Sequence, residues 1–441
     1  MALGRAQAVL IGVLAVVIIV AVAAWVWVSE PAIEEVSTPP PNQFDNALVQ
    51  TGAQLAAAGN CIQCHTSENG ENFAGGFDIP TPFGDIVSAN ITPDPETGIG
   101  TWSEEAFARA MRQGIRRDGA HLYPAFPYTH FTLLSDDDVE ALYAYFMTRK
   151  PVNNDPGPSD LPFPLNIRAV MAGWNMLYFD PGRFTPAATM SDAWNRGAYL
   201  AEGLGHCSSC HTKRNWAGAE ILKARYEGGE GEGWYGPALD GSGARATDWS
   251  TEALHIYLRG GFADDHGTPA GPMREVARSL QRVPDEDVEA IATYIASLSD
   301  TPPQSVDAPG ATAEQEPAYS VLTAYGMESD GAAQSGEDVF AGACASCHFD
   351  GGEQPYYRPI DLAMSSAVNA PDSRNFLHIV LHGVHPEPGQ RSRIMPGFEG
   401  TLTEQQVTML ADYVRDHFSD EPAWENVGDQ LDTIMNGEDE E

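Results

Sequence analysis

Three copies of one short motif contain every cysteine of the chain. The motif is Cys-x-x-Cys-His, in which two thiols form thioethers with the vinyl groups of a porphyrin and the following imidazole binds its iron. A single copy would also fit a zinc half-site or a redox pair, but three copies with no cysteine left over favour c-type haem. We therefore predict three covalently bound haem c groups, attached through Cys61, Cys64, Cys207, Cys210, Cys344 and Cys347. The proximal iron ligands would be His65, His211 and His348.

The second axial ligand of a c-type haem is commonly methionine, which raises the reduction potential relative to histidine. Met273 and Met395 lie shortly before the last predicted helix of their repeats, so we predict them as distal ligands. Phe126 has this place in the first repeat, and phenylalanine cannot bind iron. His130 is therefore the candidate distal ligand there. The alternatives are an open or water-bound iron, His121, Met111 and Met147.

Backbone carbonyl groups are expected to orient the proximal imidazoles. Residues 236–239 read Gly-Pro-Ala-Leu, and the Pro237 carbonyl can accept the hydrogen bond of His211 and so fix its tautomer. Pro359 has the corresponding place for His348.

Each motif lies within a repeat of the same helices, which predicts an all-α fold. A short helix leads into the motif, and a second helix is expected to begin at Ser103, Ser250 or Asp372 and to end near Gly114, Gly261 or Gly383. A last helix follows Ser135, Pro284 or Thr403, and its apolar residues form one stripe suited to burial. The repeats predict three haem domains at residues 46–150, 187–300 and 329–420.

Composition suggests linkers around these domains. Residues 29–45 are rich in proline and predict a stiff spacer. Residues 151–186 and 301–328 predict linkers; the first has an apolar patch and is expected to pack across domains, while the second is expected to be flexible. The acidic tail, residues 421–441, is expected to be frayed.

The N-terminal segment predicts a membrane anchor within residues 1–28. Residues 8–28 contain no charge and no proline, and 21 residues of helix extend about 31 Å, enough to span a bilayer. Arg5 precedes the segment and Glu30 follows it, which places the remainder outside the cytoplasm. We expect a bacterial inner-membrane protein with its haem domains in the periplasm. The alternative is a signal peptide cleaved after Ala23.

The charge of the chain limits its possible partners. The net charge is −38, from 62 acidic and 24 basic residues. This argues against nucleic acid, which binds to basic surfaces. It fits a partner that meets an acidic surface, or simply a solvated acidic surface.

Beyond the three motifs, further segments resemble a known family. Residues 88–94 (Ser-Ala-Asn-Ile-Thr-Pro-Asp), 98–103 (Gly-Ile-Gly-Thr-Trp-Ser) and 122–128 are similar to the triheme cytochrome c subunits of membrane-bound bacterial dehydrogenases. The resemblance covers about residues 45–420. It implies class I cytochrome c domains and a catalytic subunit on another chain, of quinoprotein, flavoprotein or molybdenum and iron–sulfur type. It further implies that electrons pass through the haems to ubiquinone or a terminal oxidase, and that this chain is not itself the catalyst.

Two departures from the family pattern bear on these expectations. The alcohol dehydrogenase type has methionine where Phe126 stands, whereas Phe126 with His130 looks more like versions that accompany molybdenum hydroxylases. The N-terminal anchor replaces the cleaved signal peptide of many members.

Two other functions stay open from the residues alone. One is a free membrane-tethered electron shuttle without a catalytic partner. The other is a haem enzyme with an open iron in the first domain. Co-purification with a large dehydrogenase subunit separates the leading hypothesis from the first, and a high-spin haem would favour the second.

Overall fold

The computed structural model describes residues 29–243, 249–263, 266–299, 333, 335–348, 361–385 and 393–437. This part of the chain is mainly helical and contains two antiparallel ribbons of two strands each. The chain divides into two compact units. Of the described residues, 29–55 and 64–184 form the first unit, while 56–63 and those from 185 onward form the second.

The first part of the chain, up to residue 184, contains six helices of four or more residues and one ribbon among its described residues. They are α1 (Asn46–Ala58), α2 (Cys61–Cys64), β1 (Asp78–Ile79), β2 (Ile86–Val87), α3 (Glu104–Gln113), α4 (Tyr128–Phe131), α5 (Asp136–Met147) and α6 (Val170–Tyr178). Strands β1 and β2 pair with Asp78 opposite Val87 and Ile79 opposite Ile86.

From residue 185 onward, the described elements repeat much of this order. They are α7 (Asp192–Glu202), α8 (Ser208–His211), β3 (Gly229–Gly231), β4 (Trp234–Gly236), α9 (Thr251–Leu258), α10 (Pro272–Leu280), α11 (Asp285–Ala296), α12 (Gly336–Ala343), α13 (Ala345–His348), α14 (Arg374–His382), α15 (Glu404–Phe418) and α16 (Val427–Met435). Strands β3 and β4 pair with Glu230 opposite Tyr235.

Side-chain caps begin most of the predicted helices. The hydroxyl groups of Ser103, Ser135 and Ser250 each accept a hydrogen bond from the backbone amide three residues later. Thr403 does the same before α15, where the Gln406 side chain completes a capping box. These contacts satisfy amides that lack a partner within the helix, so these four predicted starts are confirmed.

The predicted helix ends are confirmed in two of the three second helices. Gly114 ends α3 in the left-handed conformation, with φ 64°, and Gly383 ends α14 with φ 75°. Helix α9 already ends at Arg259, and Gly260 rather than Gly261 has a positive φ. Helix α14 begins after Ser373, one residue later than expected.

A glycine within the first helix of each repeat lets that helix cross the last helix of the repeat closely. A Cβ atom on each of these glycines would lie within about 2 Å of a carbonyl oxygen on the opposite helix. The pairs are Gly52 with Ala141 at 2.0 Å, Gly197 with Ala290 at 1.9 Å, and Gly336 with Met409 at 2.0 Å. No side chain fits at that separation, so the crossing requires glycine in each pair.

The apolar stripe of the last helices lies in the core, as predicted. Val139, Val288 and Val407 are at most 2% exposed, and the residues three positions later are also buried. Burying such side chains stabilises the fold by about 1.5–3 kcal/mol each.

Residues 151–184 are part of the first unit and contain α6, which the sequence did not predict. The Tyr128 hydroxyl donates to Asn175 Oδ1 at 2.5 Å, and the Tyr123 hydroxyl donates to the Leu165 carbonyl at 2.8 Å. The apolar patch of this segment, including Leu161 and Met171, is buried in the same unit.

The beginning of the predicted spacer also lies against the first unit. The Ile33 amide donates to the Arg117 carbonyl at 2.8 Å, and Val36 donates to the Thr101 carbonyl at 3.0 Å. The Arg109 guanidinium donates to the Pro31 carbonyl at 2.6 Å. Residues 31–36 are therefore held by hydrogen bonds rather than forming a free spacer.

The prediction of a frayed acidic tail is wrong for residues 421–437. Trp424, Leu431 and Ile434 are at most 8% exposed and belong to the same apolar cluster as α15. Val427, Leu431 and Ile434 follow the helical spacing i, i+4, i+7 and form one apolar face. The prediction failed because it considered the acidic composition of the tail and not this spacing.

The predicted membrane location is also corrected. No described helix is both long and apolar enough to cross a membrane. The longest of them, α15, has 15 residues and extends about 22 Å, short of the roughly 30 Å hydrocarbon core. Residues 8–28, which carried that prediction, lie outside the described residues, and the location is withdrawn.

Replacing Gly336 by alanine should destabilise the pairing of α12 with α15, because the new methyl group meets the Met409 carbonyl. Overpacking of this kind costs about 1–3 kcal/mol of unfolding free energy. Gly342→Ala in the same helix is the matched control, since nothing lies within 4 Å of its Cβ position. There alanine should stabilise the helix by about 0.5–1 kcal/mol. Thermal unfolding of both variants checks this, and shifts of the same sign and size would contradict the proposed constraint.

Candidate haem sites

The first four residues of the first motif form the short helix α2 (Cys61–Cys64), and His65, the last residue of the motif, follows it directly. His65 Nδ1 lies 2.7 Å from the Ala89 carbonyl oxygen. A carbonyl only accepts, so Nδ1 carries the proton and Nε2 is left for a metal. Burial lowers the pKa of His65, against a smaller opposite effect of this hydrogen bond. The neutral imidazole is the form that binds iron.

The second motif has the same arrangement. His211 Nδ1 lies 2.7 Å from the Pro237 carbonyl oxygen, so the predicted hydrogen bond is confirmed. Burial likewise lowers the pKa of His211. Each acceptor follows the second strand of a ribbon, β2 before Ala89 and β4 before Pro237. Ala89 was not predicted as an acceptor. The available signal was the β-branched pair Ile86 and Val87 shortly before it, which indicates a strand.

Glycines of the β3–β4 ribbon bring its backbone against the second motif. A Cβ atom on Gly231 would lie 2.6 Å from Cys210 Sγ, and one on Gly236 would lie 2.3 Å from the Cys210 carbonyl oxygen. Burial raises the pKa of both Cys61 and Cys207 to about 12, so these thiols are neutral near pH 7. The two cysteines and the histidine of each motif are close together in the chain, and His65 and His211 leave Nε2 for a metal; this combination fits covalent attachment of haem c.

The predicted distal ligand Met273 stands at the beginning of α10, a helix that the sequence analysis did not predict. Pro272 at the first helical position was the available signal. The preceding Gly271 has φ 52°, and a Cβ atom there would lie 2.4 Å from the Trp234 ring. Trp234 belongs to β4, the strand that leads to Pro237. The same strand therefore borders both predicted ligand segments of the second haem.

In the third repeat, Cys344 and Met395 lie against one apolar cluster, which includes Phe340 and Val380. Met395 is fixed by a pair of backbone hydrogen bonds with Val384, at 2.9 and 3.0 Å. Pro359, the predicted acceptor for His348, lies outside the described residues.

The first repeat buries both histidines that were considered as distal ligands. His130, on α4, is 4% exposed, and His121 is 6% exposed. Phe126 packs against Phe131 with ring centroids 5.3 Å apart. Phe126 thus contributes to the apolar packing beside His130, and burial alone does not choose between the two histidines.

The chain is similar in sequence to known protein families and to individual proteins. The family profile described as Cytochrome c matches residues 49–150 and 195–299, and the profile described as Cytochrome C oxidase, cbb3-type, subunit III matches residues 331–414. The fructose dehydrogenase cytochrome subunit of Gluconobacter japonicus is 36% identical, over 87% of this chain and 82% of that protein. The gluconate 2-dehydrogenase cytochrome c subunit of Pantoea cypripedii is 37% identical, over 85% of this chain and 86% of its own length.

This chain belongs to the family of dehydrogenase cytochrome c subunits. The resemblance seen in the sequence is thereby confirmed. The names of these relatives agree with the expectation that the chain is an electron-transfer component and that catalysis belongs to another chain. Cytochrome c domains in turn imply covalently bound haem c.

A further relative is longer than this cytochrome subunit. It is a subunit of the nicotinate dehydrogenase of Pseudomonas putida, 44% identical over 90% of this chain, but the match covers 32% of that protein. The chain thus spans about a third of its length.

The second haem domain of the cytochrome subunit contains a buried carboxylate that the sequence analysis missed. Glu202, 8% exposed, accepts hydrogen bonds from the hydroxyls of Tyr226, at 2.8 Å, and of Tyr294. Arg225 forms an ion pair with it at 2.5 Å. Burial is the main reason that the pKa values of Tyr226 and Tyr294 are raised, so both hydroxyls remain donors.

This cluster distinguishes the second domain from the others. Counting from the crossing glycine, Ala57 and Ala341 stand where the second domain has Glu202. Phe73 takes the place of Tyr226, and it packs edge-on against Tyr145, with centroids 6.0 Å apart. The Glu202–Arg225 ion pair thus gives the second motif charged surroundings that the first and third motifs lack at the position of Glu202.

The β3–β4 ribbon also contacts the third repeat of the cytochrome subunit. The Trp234 ring stacks on His378 of α14 at 4.6 Å with an interplanar angle of 16°. The side-chain amide of Asn375 makes two hydrogen bonds with the Tyr235 backbone, both 2.8 Å long. Its Oδ1 accepts from the Tyr235 amide, and its Nδ2 donates to the Tyr235 carbonyl. One short ribbon therefore borders the second haem site on one side and a helix of the third repeat on the other.

Proposed function

We propose that this chain is a triheme cytochrome that carries electrons from the catalytic subunit of a dehydrogenase to ubiquinone or a terminal oxidase. The observation that carries the proposal is the triplicated Cys-x-x-Cys-His motif together with the triplicated glycine crossing of its flanking helices. In the two repeats whose acceptor segment is described, a neutral imidazole is also aligned by a backbone carbonyl. Haem bound in such sites supplies a one-electron carrier.

Three domains at residues 46–150, 187–300 and 329–420 would each hold one haem through the thioethers of their two cysteines. His65, His211 and His348 would bind the irons proximally. Met273 and Met395 would complete the second and third sites, and His130 the first. Methionine stabilises the reduced iron relative to histidine, so the first haem would have the lowest potential.

The partner is proposed to be a catalytic dehydrogenase subunit that binds the substrate itself. Names of the relatives mention nicotinate, fructose and gluconate, so they do not fix one substrate for this chain. We favour a molybdenum and iron–sulfur partner over a quinoprotein or flavoprotein, because Phe126 with His130 resembles the cytochromes of that type. A low-potential first haem is suited to accept electrons from such a donor.

Isolation of the chain under mild conditions, through a C-terminal tag, should bring a catalytic dehydrogenase subunit with it. Anaerobic addition of that subunit's substrate should then reduce the haems, as measured by their visible absorption. An untagged strain is the control for adventitious capture. A chain that is recovered alone, and whose haems no substrate of the source cells reduces, would instead be a free electron shuttle.

Replacing Met273 or Met395 by leucine should each remove part of the weak far-red absorption band that reports methionine–iron bonding. Met409→Leu is the matched control, because Met409 is a partly buried methionine of the third repeat outside the predicted ligand positions. His130→Ala should leave the band intact and either shift the lowest potential or produce a high-spin haem. No change in any haem of that variant would assign the ligand to His121, Met111 or Met147, or leave the iron open.

A further inference from the structure

The loop after the second haem motif is longer than its counterpart after the first. In the first, Thr66 Oγ1 accepts a hydrogen bond from the amide of Phe73, seven residues later. In the second, Thr212 Oγ1 accepts the same bond from Tyr226, fourteen residues later. Both loops follow the proximal histidine directly. Since the first histidine is aligned without the seven additional residues (14 − 7), haem binding does not require them.

The long loop, residues 212–224, is well ordered by hydrogen bonds. The Asn215 amide donates to the Ala219 carbonyl, and the Ile221 amide donates to the Lys213 carbonyl, both at 2.8 Å. Arg214 Nη2 donates to the Ser209 carbonyl at 2.9 Å, which ties the loop to α8. Its surface is therefore held in one arrangement beside the haem motif.

Every exposed residue of this loop is either basic or large and apolar. The basic residues are Lys213, Arg214 and Lys223. The apolar residues are Trp216, Leu222 and Ile221, which are 86%, 67% and 38% exposed. The exposed residues of the short loop, 68–72, include Glu68 and Glu71 and no basic or apolar side chain. The basic character of this surface is opposite to the net charge of −38 of the chain.

We propose that the 212–224 loop is a docking surface for the catalytic subunit of the dehydrogenase, and that it inserts Trp216 into an apolar recess bordered by carboxylates. This rests on the function proposed above. Tryptophan is enriched among the residues that dominate binding energy at interfaces, and basic residues around it select an acidic partner. Large apolar side chains this exposed match a lasting subunit interface better than a brief encounter.

Docking here has a consequence for electron transfer. The loop begins one residue after His211, and Arg214 is bonded to the motif itself. A subunit held on this loop would therefore lie beside the second haem, which would be an early acceptor of the electrons that enter through the lower-potential first haem.

The test compares complexes of the full-length, haem-loaded chain with its catalytic subunit. Trp216→Ala should weaken binding about tenfold or more, as expected for an interface anchor, while the haem spectrum stays unchanged. Lys213→Glu with Lys223→Glu should slow association and reduce its dependence on salt. Phe163→Ala and Lys150→Glu are matched controls, because Phe163 is 79% exposed and the Lys150 side chain is 73% exposed in the other unit. Neither control should change the affinity.

Unchanged affinity of Trp216→Ala, or an equal loss in Phe163→Ala, would overturn the docking surface while leaving the proposed function intact. The same holds if Trp216→Ala weakens only binding to the electron acceptor, or only self-association of the chain. Failure of the unaltered chain to bind any catalytic subunit would overturn both.

Discussion

The hydrogen bond from the proximal imidazole Nδ1 to a backbone carbonyl is the interaction on which the first and second candidate haem sites depend. It fixes the tautomer and the ring orientation of the neutral imidazole, so that Nε2 would be available to the iron of a haem. The rest of the domain serves this contact from two sides. Helices that cross at a glycine hold the motif, and a short ribbon delivers the carbonyl of Ala89 or Pro237. The candidate haem site therefore depends directly on few residues: the motif itself and one carbonyl group. The helix crossing and the ribbon hold these residues in position.

On this common scaffold the repeats differ where a haem would be tuned or reached. Phe126 replaces the expected methionine in the first repeat. Glu202 introduces a charge in the second, where the first and third have alanine. Only the second carries the extended basic and apolar loop among the loops that the structure describes. Differences of this kind suit a chain whose haems accept, pass on and release electrons in a defined order.

Much of the scaffold was predictable because its signals are local. Caps at Ser103 and Thr403, the buried stripe of the last helices and the Pro237 acceptor follow from residue type and short spacing. Helix α6 was not predicted, because its apolar residues show no clear helical period. Helix α16 was not predicted, because acidic residues surround its apolar ones. Glu202 contacts Tyr226 and Tyr294, which are separated from it by 24 and 92 positions in the sequence. Contacts between residues this far apart cannot be predicted from a local sequence pattern. The predicted membrane location was wrong, because no helix in the part of the chain that the structure describes is long and apolar enough to cross a membrane.

The number of haems per chain is the decisive measurement, because each proposed site requires that its motif carries one haem. Pyridine haemochrome absorbance per mole of protein and the mass of the mature chain measure it independently. We expect three covalently attached haems by both methods. Two or fewer in fully matured protein would contradict this expectation.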